Sequence, residues 1–190
     1  ARDAGRAVAG MGAAREVTFG SAAEPALLLG FSVLARATGS SSLGGMLGPA
    51  LDGAWAEAAP SLTLAAVALA LVSLAENARI PVDDPNTHLE LTMIHEVMVL
   101  DHSGPDLALV QAGAALKLAL FGGLLSQLVG AGRPAGGPAG LAAFAAGLLA
   151  FALLVGVVES AMARLRLQQV PQLLVGASIL SLFALVLVLR

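Results

Sequence analysis

LAAFAAGLLAFALLVGVV, running from Leu141 to Val158, is eighteen consecutive residues without a charge. At about 1.5 Å per residue such a helix extends about 27 Å, close to the hydrocarbon thickness of a bilayer, and it lacks the polar face that a soluble helix turns to water. It reads as a membrane span. Four further runs share this character: Leu173 to Leu189, Leu107 to Val129 around Lys117, Leu62 to about Arg79 with no charge before Glu76, and Val17 to Ala35 broken by Glu24 and Pro25. A secretory signal fits the start poorly, because Ala1 to Arg15 holds three Arg and no apolar core ahead of the first span. No internal repeat stands out, so residues 1–190 read as a single membrane domain. The expected fold is an all-α membrane protein with about five transmembrane helices plus one amphipathic cytoplasmic helix.

Composition agrees with that reading and excludes several functions. Of the 190 residues, 57% are hydrophobic and 12% charged, with a mean hydropathy of +0.86, whereas soluble domains have about 45–50% and about 25%. The absence of Cys removes thiolates for iron–sulfur clusters, zinc or disulfides, so any redox metal belongs to another polypeptide. A net charge of −3, with ten Lys and Arg scattered along the chain, provides no basic stripe for nucleic acid.

An excess of Lys and Arg in short loops marks the cytoplasmic side. Arg2, Arg6, Arg15, Arg79, Arg164 and Arg166 fall on one side of the five spans, and Arg36, Arg133 and Arg190 on the other. The N-terminal segment and the loops 77–106 and 161–171 are therefore expected in the cytoplasm, with the chain multi-pass in the cell inner membrane. The outer stretches Thr38 to Pro60 and Ser126 to Gly140, rich in Gly, Ser, Ala and Pro, read as surface connections. Trp55 belongs at the outer interface.

Ionisable groups inside spans cost about 2.5–3.5 kcal/mol each on insertion scales, so each requires a reason. There are four: Glu24, Glu76, Lys117 and Glu159. Counted from the cytoplasmic ends, Glu24 lies about 10 Å deep and Glu76 and Glu159 shallower, which places three carboxylates from three helices in one half of the bilayer as a proton-relay candidate. The plainer alternative makes Glu76 and Glu159 interfacial residues whose side chains reach headgroups or pair with Arg79 and Arg164. Lys117, near the middle of its span, either pairs with one of the carboxylates or forms a separate half-channel element.

The loop 77–106 carries Asp83, Asp84, Glu90, Glu96, Asp101 and Asp106 against the single Arg79. Thr87 with Glu90 three residues on forms a capping box, and Gly104-Pro105 stops the helix that it starts. Leu89, Met93, Ile94, Val97, Met98 and Leu100 make its apolar stripe, and His88, Thr92, His95 and Glu96 the polar one. His88, His95 and His102 recur every seven residues, about 10.5 Å apart along a helix, too far to share one metal ion. Residue 99, four after His95, is Val, so the zinc-protease pattern is absent as well. No metal site is expected, and the stripe reads as solvated or partner-facing, with histidines available for proton transfer.

The run Ala75-Glu76-Asn77-Ala78-Arg79-Ile80-Pro81-Val82-Asp83-Asp84-Pro85, continued by Thr87-His88-Leu89-Glu90-Leu91-Thr92-Met93-Ile94-His95-Glu96, resembles the signature loop of the family that includes the subunit 1 type of membrane protein in respiratory complex I. It is most similar to that family's hydrogenase branch, the membrane proteins called formate hydrogenlyase subunit 4 and hydrogenase-4 component C. Gly10-Met11-Gly12, Arg15-Glu16-Val17-Thr18-Phe19 and Glu24-Pro25 resemble the start of one of the family's glutamate-bearing spans. Members have about eight spans and these five resemble the last five, so the chain is expected to be a C-terminal fragment. Where the family commonly has Glu-Tyr before Ser-Gly, this chain has Asp101-His102, a shorter acid and a titratable ring.

The resemblance implies a non-catalytic subunit that anchors a peripheral nickel–iron hydrogenase module and links its electron transfer to proton or sodium movement through antiporter-like membrane subunits. It implies a proton relay through Glu24 and Glu76, with weaker motif support for Glu159; Lys117 joins the relay candidates on its place inside a span alone. Arg79, Asp83, Asp84, His88, Glu90, His95, Glu96 and Asp101 would form the docking and coupling loop. The nickel–iron centre and iron–sulfur clusters would sit in the hydrogenase large and small subunits, leaving this chain without a cofactor. Three other readings compete: the proton-coupling, quinone-site subunit of an NADH-quinone oxidoreductase, an independent secondary transporter built on Lys117 and the buried glutamates, and a passive anchor. The transporter would show paired, interrupted helices in two repeated halves, and the sequence has none.

Overall fold

The computed structural model describes residues 7–82, 104–130, 137–162, 165 and 169–190. Its described residues are helical and turn-forming, without strands. Six helices follow in chain order: α1 (Ala7–Thr38), α2 (Leu43–Met46), α3 (Ala50–Glu76), α4 (Pro105–Val129), α5 (Gly137–Ala161) and α6 (Val170–Leu189). Five of them contain stretches long and apolar enough to cross a membrane: Val17–Thr38, Ala50–Glu76, Pro105–Val129, Gly137–Ala161 and Val170–Leu189. The amphipathic helix expected around residues 87–100 lies outside the described residues.

The spans agree with the sequence reading except at their ends. The stretch up to Pro60, expected as a surface connection, contains α2 and the first eleven residues of α3. Ala-rich sequence favours helix there, and Pro60 bends α3 instead of ending it. Pro has no N–H for the carbonyl one turn back, and Ala58 leaves helical geometry at φ −129°, ψ 32°. At the other extremity α3 ends at Glu76, before the expected Arg79. The connection read as Ser126 to Gly140 is shorter too, since α4 runs to Val129 and α5 starts at Gly137.

α1, α3 and α6 pack mutually, while α4 and α5 pack on each other and reach that trio through α3. Small residues allow the close approaches. A Cβ on Gly30 would come within 2.9 Å of Leu69 Cδ2, and one on Gly122 within 2.7 Å of Phe151 Cδ1, so α1 meets α3, and α4 meets α5, at near-backbone distance. Two apolar clusters result. Val33, Leu34, Met46, Leu51, Leu62, Leu69, Leu125 and Leu128 gather at the end that carries Trp55. Ala23, Ala26, Val72, Val82, Val170, Leu174 and Ala177 gather at the end that carries Glu76. Trp55 is half-buried, and its Nε1 donates to the Leu128 carbonyl at 2.8 Å, giving a partner to one of the carbonyls that the end of α4 leaves unpaired.

Candidate functional site

The site begins with how α3 stops. Asn77 closes the helix, the Ala78 N–H donates to the Ala75 carbonyl at 3.2 Å, and the Arg79 N–H reaches back to the Leu74 carbonyl at 3.0 Å. This is the Schellman pattern, whose penultimate residue needs a left-handed backbone. Here that residue is Ala78, at φ 48°, where glycine is the usual occupant. The reversal throws Arg79 sideways off the axis of α3, and the following turn is closed by the Val82 N–H on the Arg79 carbonyl at 2.8 Å. Next, the Leu165 N–H donates to the Pro81 carbonyl at 2.9 Å, tying the turn after α3 to the segment between α5 and α6.

Among the described residues two ion pairs lie at this end. Lys117 Nζ donates to Glu76 Oε2 at 2.6 Å, and Arg79 Nη1 donates to Glu159 Oε1 at 3.3 Å. All four side chains are half-buried. Lys117 stands at the midpoint of α4 in sequence, so its pair with the last residue of α3 forms inside the span. The length of 2.6 Å is that of a strong charge-assisted hydrogen bond, whereas 3.3 Å is a weaker one. The second oxygen of Glu76 turns to α1, since a Cβ on Gly20 would stand 4.0 Å from Glu76 Oε1. Glu76 therefore lies where α1, α3 and α4 converge.

Of the four charges expected inside spans, three are in ion pairs among the described residues. Glu76 takes Lys117, as one alternative for Lys117 had it, in place of Arg79, and Glu159 takes Arg79; Arg164 lies outside the described residues. Glu24, one turn beyond Gly20 on α1, is exposed and makes no hydrogen bond or ion pair among the described residues. Asp83, Asp84, His88, Glu90, His95, Glu96 and Asp101 lie outside the described residues.

Asn77 was not singled out in the sequence. Its Nδ2 donates to the Ser73 carbonyl at 2.7 Å, and its Oδ1 is buried without a hydrogen-bond partner among the described residues. An orphaned buried acceptor beside Glu76 is an exception to the general pairing of buried polar atoms. The signal was available, because an amide between an in-span acid and an arginine is out of place in an apolar run. Chemically, the site offers two carboxylates held by an ammonium and a guanidinium, with a free amide oxygen beside one of them. Such a set can hold, exchange or transmit a proton or small cation.

Comparison with known proteins places the chain. The family model described as NADH dehydrogenase matches residues 4–189. Formate hydrogenlyase subunit 4 of Escherichia coli (strain K12) is 30% identical over 183 residues, covering 90% of this chain and 56% of that protein. Hydrogenase-4 component C of the same organism is 33% identical over 126 residues, 66% of this chain and 38% of that protein. The chain thus spans about half the length, or less, of the curated relatives it matches. No solved structure matches it.

Proposed function

The chain belongs to the NADH dehydrogenase family, and from that premise we propose that it is the membrane anchor and coupling subunit of a nickel–iron hydrogenase complex related to formate hydrogenlyase. In this role it links electron transfer in a peripheral module to the movement of protons or sodium ions. The observation that carries the proposal is the Lys117–Glu76 pair inside the span, next to Arg79–Glu159, in a chain whose curated relatives are hydrogenase-complex membrane subunits. A charge pair within the apolar layer responds to a charge arriving nearby: protonation of Glu76 frees Lys117, and neutralisation of Lys117 frees Glu76. The Schellman turn puts Arg79, which pairs with Glu159 of α5, on the same short piece of backbone as Glu76, so a displacement of the 77–106 loop would act on both pairs.

In this reading the Glu76 end faces the cytoplasm and the acidic positions Asp83, Asp84, Glu90, Glu96 and Asp101 dock the hydrogenase large and small subunits. Antiporter-like subunits continue the path within the membrane. Glu24 lies deeper along that path. The test uses sealed vesicles. Glu76→Gln and Glu24→Gln keep volume and hydrogen-bonding shape but remove the titrating proton, so ion movement per electron should fall sharply while hydrogen chemistry on detached complex stays intact. Wild-type ratios in both variants would refute the relay. Reversing charge at Glu90 and Glu96 together should release the hydrogenase module from membranes, and a module that stays bound at ordinary salt would refute the docking role.

A second reading within the same family, described as NADH dehydrogenase, is a proton-coupling, quinone-site subunit of an NADH-quinone oxidoreductase. Inhibition of the assembled complex by quinone-site ligands would favour it over the hydrogenase assignment.

A further inference from the structure

The long helices fall into a trio, α1, α3 and α6, and a pair, α4 and α5, that reaches the trio through α3. Different chemistry joins the two groups at the two ends of the bundle. At the Trp55 end the join is apolar: Leu125 and Leu128 of α4 belong to the same buried cluster as Leu34 of α1 and Leu62 of α3, and the Trp55 indole holds the Leu128 carbonyl. At the Glu76 end the buried cluster draws its members from α1, α3, α6 and the turn after α3. Among the described residues neither α4 nor α5 gives that cluster a buried side chain, and Phe121 of α4 lies against it only partly buried. Closer to the start of α4, residues 111–116 are exposed around the whole helix, so whatever else covers them, α3 does not. Charge makes the join here. Lys117–Glu76 and Arg79–Glu159 both cross the boundary, one from each helix of the pair.

The backbone follows the same division. The connections from α3 to α4 and from α5 to α6 both leave at the Glu76 end. The bond from the Leu165 N–H to the Pro81 carbonyl ties them to each other, and Val82 and Leu165 rest in the cluster of the trio. Only residues 162–164 separate the end of α5 from that tie, so the travel open to the pair is short.

We infer that α4 and α5 rock as a unit against α1, α3 and α6, with the Trp55 contact as the hinge and the two ion pairs as the latch. Loss of charge at Glu76 or Lys117 removes the attraction that holds the Glu76 end shut, while the buried leucines at the opposite end keep the helices in register. The inference deepens the coupling reading by giving Glu76 a mechanical output, and it rests on that reading only for what the motion is used for.

Nitroxide-bearing amino acids incorporated at two positions of this chain report one distance at a time in the intact complex by pulsed electron paramagnetic resonance. Leu109 of α4 with Val175 of α6 spans the boundary near the latch, and Val129 with Leu189 spans it near the hinge; all four positions are exposed. Glu76→Ala with Lys117→Ala removes both groups and leaves no unpaired charge. It should add to the Leu109–Val175 distribution a population longer by about 2 Å or more, with Val129–Leu189 unchanged. The swap Glu76→Lys with Lys117→Glu rebuilds the pair and should return the short distance. An unchanged Leu109–Val175 distance in the alanine variant, equal lengthening at both ends, or a swap variant as open as the alanine one would overturn the inference. Opening with ion movement per electron at the wild-type ratio would refute the coupling reading and leave the hinge standing, whereas closed distances with ion movement lost would refute the hinge and leave the coupling reading standing.

Discussion

At the Glu76 end of the bundle, α3, α4 and α5 meet through Lys117–Glu76 and Arg79–Glu159 over a cluster of mostly small apolar residues. At the Trp55 end, α1, α3 and α4 meet through large buried side chains, with the Trp55 indole on the Leu128 carbonyl as a directional contact. Apolar packing is sufficient to hold helices together in a membrane, as the Trp55 end demonstrates. Charge pairs add a desolvation cost that good geometry only partly offsets, so their concentration at one end points to a use other than cohesion. The Trp55 end should therefore govern stability and the Glu76 end coupling.

The largest stability effect should come from the Trp55 end. Leu34 and Leu62 are fully buried, so Leu34→Ala or Leu62→Ala should cost about 2–5 kcal/mol, read as lower thermal stability of the detergent-solubilised complex, with ions moved per electron unchanged in the surviving fraction. An altered ion ratio in these variants would break the division between the ends. Lys117→Met leaves Glu76 without its cation. Because the pair is only half-buried, the expected loss is about 2–3 kcal/mol, below the about 3–5 kcal/mol for a fully buried pair. Adding Glu76→Gln to Lys117→Met should restore most of that loss, and a double variant no more stable than the single one would show that the two do not interact. Trp55→Phe retains the ring but loses the bond to Leu128, for about 0.5–1.5 kcal/mol and no change in coupling. Arg79→Gln should cost the least stability, about 0–1 kcal/mol, since the Arg79–Glu159 pair is longer and about a third exposed.

The five spans were legible because a bilayer demands about twenty apolar residues in sequence, and that demand is local. The helical start of α3 was not, because Gly48, Pro49 and Pro60 resemble loop punctuation; what decides the matter is that Leu51 and Ala54 bury one face of an Ala-rich turn. The charges were legible as exceptions to an apolar background, and so was a pairing of Lys117 with one of the carboxylates as one of two alternatives, but which carboxylate it takes and the Arg79–Glu159 pair were not. Lys117 lies 41 residues from Glu76, and Arg79 lies 80 residues from Glu159, so the pairing depends on how helices rotate and cross. Ala78 hid the turn that ends α3, because the position calls for glycine in a sequence-based reading and the structure places alanine there at φ 48°.

The most direct measurement of the division between the two ends is the number of ions moved per electron in sealed vesicles carrying the double variant Glu76→Gln, Lys117→Gln. Removing both charges together leaves no unpaired ion in the span, so assembly is expected to survive and a loss of transport is not a loss of fold. The account predicts an assembled complex with intact hydrogen chemistry and ion movement reduced at least tenfold. Ion movement at the wild-type ratio would contradict it, and would make the Lys117–Glu76 pair a structural clasp like the Trp55 contact at the opposite end.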